Sequence, residues 1–302
     1  MNDLPYGVNI NNLINDLRTF SWEASDILLY YAQIIKDTDN KSNILKNDNL
    51  NDPVTLADLK VNEIIIKRIK EKYVNVNWDI LSEENVKISS QNVDSNNDWI
   101  WVLDPLDGTK DFIQGTSNYA MHLALNFKQK PFIGVVLIPE RDQLWIAVRG
   151  KVWCEKKDGS KFYPSLSKNK NLQEMVLVKS KNHRNQTLEN LIKKIEFKKV
   201  ITMGSIGCKI ASILRGESDI YICLSLPGKG SPKDWDLAAP ECILKAAGGA
   251  ITNLGNKELS YGESKYEHVG IIVATNNKNT HKKVCLEIKE IIDNYKIHPF
   301  CN

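Results

Sequence analysis

The chain has 302 residues, 42% of them hydrophobic and 25% charged, with a formal net charge of +3. That length buries a real core in one large or two ordinary domains, and the nearly balanced charge leaves no basic patch or tail for a nucleic acid. Met1-Asn2-Asp3-Leu4-Pro5 has no positive, then apolar leader, and the longest apolar stretch, around Ile27 to Ile35, is too short to span a bilayer.

In chain order, Ile10, Leu13, Ile14, Leu17, Ala24, Leu28 and Tyr31 recur at helical spacing and predict a long amphipathic helix. Lys36 to Asn51 is polar and Asn-rich, and reads as a loop. Ala57, Val61, Ile64, Ile65 and Ile69 predict a second helix, with Thr55 as its N-cap. Short strands are expected at Asp79 to Leu81 and Trp99 to Leu103. Met121 to Phe127, Ile133 to Ile138 and Gln143 to Val148 follow in quick succession with Gly and Pro turns, which predicts an antiparallel sheet. After about Ser165 strands alternate with helices. Strands are expected at Met175 to Val178, Lys199 to Met203, Asp219 to Cys223 and Gly270 to Ala274. Helices are expected at Leu188 to Ile195, Ile210 to Leu214, Leu237 to Ala247 and Val284 to Tyr295. The pattern predicts an α+β half (1–165) packed on an α/β half (166–302), with no internal repeat.

The six cysteines, Cys154, Cys208, Cys223, Cys242, Cys285 and Cys301, show no C-x-x-C spacing and lie mostly in apolar patterns. Free thiols in a reducing compartment are expected, the cytoplasm first and a plastid stroma as the alternative. His122, His268, His281 and His298 lack paired zinc-ligand spacing and receive no role.

The chemistry concentrates in Trp101-Val102-Leu103-Asp104-Pro105-Leu106-Asp107-Gly108-Thr109. An apolar strand stops at Asp-Pro, and the turn aims two carboxylates at one point. Clustered carboxylates with no intervening cation repel unless a hard ion such as Mg²⁺ or Mn²⁺ takes their oxygens. Gly108 and Thr109 then offer backbone N–H groups to an anion. Taken alone, Asp-Pro-x-Asp-Gly is also ordinary turn chemistry. Two further acidic segments weigh against that simpler reading. One runs Asp52-Pro53-Val54-Thr55-Leu56-Ala57-Asp58 and on to Ile80-Leu81-Ser82-Glu83-Glu84. The other is Trp235-Asp236-Leu237-Ala238-Ala239-Pro240-Glu241, ending in Ala247-Gly248-Gly249. Pro240 belongs in a first helical turn, where no N–H is needed, and this puts Asp236 at or near an N-cap.

These segments, in order from Asp52 to Gly249, resemble the inositol monophosphatase superfamily of Mg²⁺-dependent, lithium-sensitive phosphomonoesterases. The resemblance implies the layered αβαβα sandwich of inositol monophosphatases and fructose-1,6-bisphosphatases. It implies Glu83, Asp104, Asp107, Asp236 and the Leu106 carbonyl as ligands of two or three Mg²⁺ ions, with Mn²⁺ as a substitute and Li⁺ inhibitory. It also implies a Thr–Asp pair that orients the attacking water, matched to Thr109 and Asp52.

Three local features lean toward the 3′(2′),5′-bisphosphate nucleotidases. Thr109-Lys110-Asp111-Phe112 is similar to that group's Gly-Thr-Lys-Glu-Phe pattern. Lys179-Ser180-Lys181-Asn182-His183 resembles its Ser-x-x-His segment, and Gly204-Ser205-Ile206-Gly207-Cys208-Lys209 its Gly-x-x-Gly-x-Lys loop. The resemblance therefore implies Gly108, Thr109, Lys110, His183, Ser205 and Lys209 as substrate contacts. Leu226-Pro227-Gly228-Lys229-Gly230-Ser231-Pro232-Lys233-Asp234 resembles the same group's approach to Trp-Asp, and reads either as a rim closing over substrate or as a plain loop. The expected activity is hydrolysis of adenosine 3′,5′-bisphosphate to AMP and phosphate, with its 3′-phosphosulfate relative as a second substrate. Such an enzyme, expected as a monomer or homodimer, clears a by-product of sulfotransfer and sulfate reduction. Alternatives are an inositol monophosphatase or inositol polyphosphate 1-phosphatase, and a non-catalytic metal- or nucleotide-binding homologue.

Overall fold

The computed structural model describes residues 4–37, 46, 55–89, 97–167, 170–182, 185–226 and 230–297. Helix α1 (Ile10–Asp37) buries Leu13, Leu17, Ala24, Leu28, Ala32 and Ile35, close to the predicted stripe. Helix α2 (Leu56–Lys72) begins at Thr55, whose hydroxyl accepts from the Ala57 and Asp58 amides. The Asp58 carboxylate in turn accepts from the Thr55 amide, completing a capping box.

The first sheet runs in sequence order: β1 (Asp79–Ser82), β2 (Trp99–Asp107), β3 (Ala120–Phe127), β4 (Lys130–Ile138), β5 (Gln143–Val148), β6 (Lys151–Glu155) and β7 (Lys161–Phe162). β1 and β2 are parallel and the later neighbours antiparallel. Two short helices interrupt it, α3 (Glu83–Ser89) and α4 (Thr109–Ile113). Its faces separate with period two. Trp101, Leu103, Met121, Leu123 and Val135 pack with α1 and α2, while Val102, Ala120, Ala124 and Val136 face the other way.

The second half comprises β8 (Val176–Ser180), α5 (Gln186–Ile195), β9 (Lys199–Met203), α6 (Ile206–Leu214), β10 (Ile220–Ser225), α7 (Asp234–Ala246), β11 (Ala250–Asn253), β12 (Gly270–Thr275) and α8 (Lys278–Tyr295). Its sheet order is β11-β12-β10-β8-β9. α6 and α7 lie between the sheets, where Ile210, Leu214, Leu237 and Ile243 share a core with both. On the outer face Leu188, Leu191, Val284 and Ile288 of α5 and α8 cover Leu177, Ile222 and Val273. The layers are α1/α2, sheet, α6/α7, sheet, α5/α8, which is the expected αβαβα sandwich.

Five elements were not expected: α3, α4, β6, β7 and β11. The longest has seven residues, too few for a periodic signal to emerge. α6 and α7 begin earlier than predicted, since Gly207 and Lys209 in one first turn and Asp234 and Asp236 in the other interrupt the apolar spacing.

Gly134 on β4 lets α7 approach the sheet. A Cβ there would lie 2.5 Å from the Cys242 Cβ and 2.9 Å from the Ala239 carbonyl oxygen. Gly134→Ala is expected to destabilise by about 1–3 kcal/mol through overpacking. Thermal unfolding of the variant checks this, and an unchanged midpoint would contradict the close approach.

Candidate active site

The site forms where β1 and β2 end. β2 pairs Asp104 with His122 but Asp107 with Ala120, so it carries one extra residue against β3. In an unbroken strand residues three apart face opposite ways; a bulge removes that opposition. Carboxylate oxygens of Asp104, Asp107 and Asp236 consequently lie within 4.8 Å of one another. β1 runs parallel to β2 and ends beside Leu103, which places Glu83 against Asp104. Glu83 does not end a strand, as expected, but opens α3, where it pairs with Lys87 at 2.9 Å.

Each remaining carboxylate is fixed by a helix start. One Asp107 oxygen accepts from the Ser205 hydroxyl at 2.7 Å and from the Ile206 and Gly207 amides, at the N-terminus of α6. His122 Nε2 lies 3.2 Å from the same oxygen. Asp236 accepts from the Lys233 amide at 2.6 Å. It is the third residue of α7 rather than its N-cap, and Pro240 falls in the second turn. The expectation failed because Asp234 and Trp235 also belong to the helix; Pro240 simply removes the N–H that would have met the Asp236 carbonyl.

Burial and mutual repulsion hold the Asp104 carboxyl well above the usual carboxylate range; burial dominates, with Glu83, Asp107 and Asp236 adding to it. Asp236 is raised in the same way, by burial first and then by Asp107 and Glu83. An all-oxygen, acidic, half-enclosed donor set of this kind fits a hard divalent cation. Leu106 is buried and its carbonyl turns toward the same corner, where it accepts from the Thr109 hydroxyl at 3.0 Å.

The carboxylate beside Thr109 is Asp58, with Oδ1 3.4 Å from the threonine hydroxyl. Burial lifts the Asp58 pKa to about 8, although the Thr55 hydroxyl bond opposes the rise. Asp52, the residue first matched to this role, lies outside the described residues. Asp58 stands six positions later in the same motif. Its signal was Thr55-x-x-Asp58, a capping box that read only as a helix start.

A cavity of about 700 Å³ opens from the carboxylates. Gly108, Thr109, Lys110 and Lys209 reach it, and Val86, Leu188, Ile222, Leu224 and Tyr266 form an apolar wall. Lys209 is 1% exposed and donates to the Gly204 carbonyl at 2.6 Å and the Met203 carbonyl at 3.3 Å. Burial lowers its pKa. Ser205 is fully buried and stands behind Asp107; its hydroxyl holds the carboxylate instead of facing the cavity. Gly108 has φ 90, and a Cβ there would lie 2.9 Å from the Asn118 carbonyl oxygen, so glycine is required on both counts. His183 and Pro227-Gly228-Lys229 lie outside the described residues. Among the described residues no helix is long and apolar enough to cross a membrane.

A five-layer sandwich that gathers carboxylates where strands end and helices begin offers a site suited to a divalent cation. The sequence matches the inositol monophosphatase family over residues 11–293, and the chain belongs to that family. It is 33% identical over 216 residues to the 3′(2′),5′-bisphosphate nucleotidase CysQ of Buchnera aphidicola, covering 71% of this chain and 76% of that one. It is 29% identical to the Nus factor SuhB of Pasteurella multocida, with 70% and 76% covered. An IMPase structure from Thermotoga maritima shares the fold, with a TM-score of 0.69 at 21% identity, covering 94% and 98% of the two chains.

Cation binding requires Asp104 and Asp236 to shed protons that burial makes them retain. Both folded pKa values are raised, so the cation-free protein loses stability as pH climbs above the unfolded-state values. The rise in Tm produced by Mg²⁺ is therefore expected to grow as pH climbs from the ordinary carboxylate range through neutrality. A gain independent of pH in differential scanning calorimetry would contradict this.

Proposed function

We propose that this phosphatase removes the 3′-phosphate of adenosine 3′,5′-bisphosphate, giving AMP and phosphate, with the 3′-phosphosulfate analogue as a second substrate. The observation that carries this reading is Lys209, a buried lysine that lines the same cavity as the carboxylates and adds a cation beyond what the ions would supply. A second phosphate needs such a cation, and an inositol monophosphate does not. The bisphosphate nucleotidase named among the curated relatives supports the same reading. Lys110 adds a charge at the metal end, and the apolar wall of the cavity suits a base.

Glu83, Asp104, the Leu106 carbonyl, Asp107 and Asp236 hold the ions, proposed to be Mg²⁺, with Mn²⁺ able to substitute and Li⁺ inhibitory. Bound divalent ions supply charge neutralisation and water activation. The chain's own contribution is the proton path. The Thr109 hydroxyl has one proton and two acceptors, Leu106 at 3.0 Å and Asp58 at 3.4 Å. When that proton goes to Asp58, the threonine oxygen is left to accept from the attacking water. A pKa lifted to about 8 makes Asp58 a stronger base than an exposed carboxylate. In this reading residues 1–165 carry most of the ion site, while 166–302 add Asp236 and the substrate wall.

The test is phosphate release from adenosine 3′,5′-bisphosphate and from inositol 1-phosphate, side by side, with Mg²⁺, EDTA and Li⁺. Preference for the nucleotide, lost in EDTA, supports the proposal; preference for the inositol ester replaces it with the family's other activity. Asp58→Asn and Thr109→Ala are each expected to lower kcat by about 10²–10⁴-fold, the range for a lost general base. Mg²⁺ affinity by calorimetry should stay within about twofold, because neither side chain is an ion ligand. In the wild type kcat/KM should rise as pH climbs toward about 8, and that limb should vanish in Asp58→Asn. Mg²⁺ binding in calorimetry with no phosphate release from either substrate would instead indicate a protein that binds without catalysing.

A further inference from the structure

We propose that Asp111 is a positioning residue that fixes the distance between the reacting phosphate and the remote part of the substrate. The inference rests on the function proposed above. Asp111 follows Thr109 and Lys110 in α4, is fully buried, and does not itself line the cavity. Its carboxylate joins three segments. Oδ1 accepts from the Thr116 hydroxyl at 2.7 Å, and the Lys181 ammonium lies 3.5 Å from the same oxygen. Oδ2 accepts from the Asn182 side-chain Nδ2 at 2.8 Å. The third segment is Gly204, where a Cβ would sit 2.2 Å from Oδ2 and 2.6 Å from the carboxyl carbon.

Every hydrogen-bonding group that meets the carboxylate is a donor, so the position demands a side chain that only accepts. Asparagine would turn an NH₂ toward one of those donors. The joined segments are the remote rim of the cavity. Ser180, Asn182 and Gly204 line it, and the Gly204 carbonyl receives the Lys209 ammonium. The Lys181 amide donates to the Met203 carbonyl at 3.1 Å, tying the rim to the end of β9. One buried carboxylate, two residues from Thr109, thus sets where Asn182 and the Lys209 anchor stand relative to the acidic cluster. Affinity for an extended substrate depends on that spacing; turnover of a small phosphoester does not.

The experiment compares wild type with Asp111→Asn on adenosine 3′,5′-bisphosphate and on p-nitrophenyl phosphate, together with amide hydrogen exchange in residues 180–182. KM for the bisphosphate is expected to rise about tenfold, the effect of one lost charge-assisted hydrogen bond, with kcat within about twofold. Turnover of p-nitrophenyl phosphate should hold within about twofold, and exchange in the rim should accelerate. Lys181→Met, a substitution at a partly exposed side chain, is a second variant should Asp111→Asn fail to fold; it should show a smaller shift of the same kind. Equal losses on both substrates, or an unaltered KM with unaltered exchange, would overturn the proposal. Exchange is read without substrate, so a wild type that prefers inositol 1-phosphate sinks the proposed function while the Asp111 test still returns its own answer.

Discussion

Three carboxylates whose oxygens lie within 4.8 Å of one another repel, and burial removes the water that would screen them. The surrounding fold is arranged to hold them there regardless. Asp107 is held by the start of α6 and Asp236 by the start of α7, where unpaired amides and the helix dipole favour negative charge. Asp104 depends on the strand that carries it, and Glu83 on the turn from β1 into α3. What these elements leave uncompensated is the affinity for a divalent cation.

Helix α6 illustrates how economically this is done. Ser205 and the two amides after it serve Asp107, so the positive end of the helix faces a carboxylate of the acidic cluster. One turn later Lys209 points its ammonium along the Gly204 carbonyl toward the cavity. Part of the acidic cluster's support and part of the cavity wall are therefore built from a single turn of chain. His122 approaches the same oxygen of Asp107 across the interior because Gly207 has no side chain; a Cβ there would lie 2.2 Å from Nε2.

The layers and the acidic cluster were legible in the sequence, since apolar periodicity gave the long elements and residue type at fixed spacing gave Asp104, Asp107 and Asp236. What escaped was either too short or doubly employed. α3 and α4 have seven and five residues, below any periodic signal, yet they start at Glu83 and Thr109. Asp58 presents itself in sequence as a helix cap, and only the folded chain shows its second oxygen beside Thr109. Pro240 misled because a proline inside a helix is tolerated where the carbonyl it orphans lies in the first turn. Ser205 misled because a hydroxyl before a helix resembles a substrate contact whether it faces in or out.

The parallel pairing of β1 with β2 has a topological consequence. An antiparallel hairpin would have been the shorter connection, but it would leave Glu83 at the far end of a four-residue strand, about 10 Å from Asp104 at roughly 3.3 Å per residue. Parallel strands instead require a return of chain before β2 begins. That return is the length of backbone needed to bring two strand ends to the same edge. A connection too short to make that return would part Glu83 from Asp104 without changing either side chain.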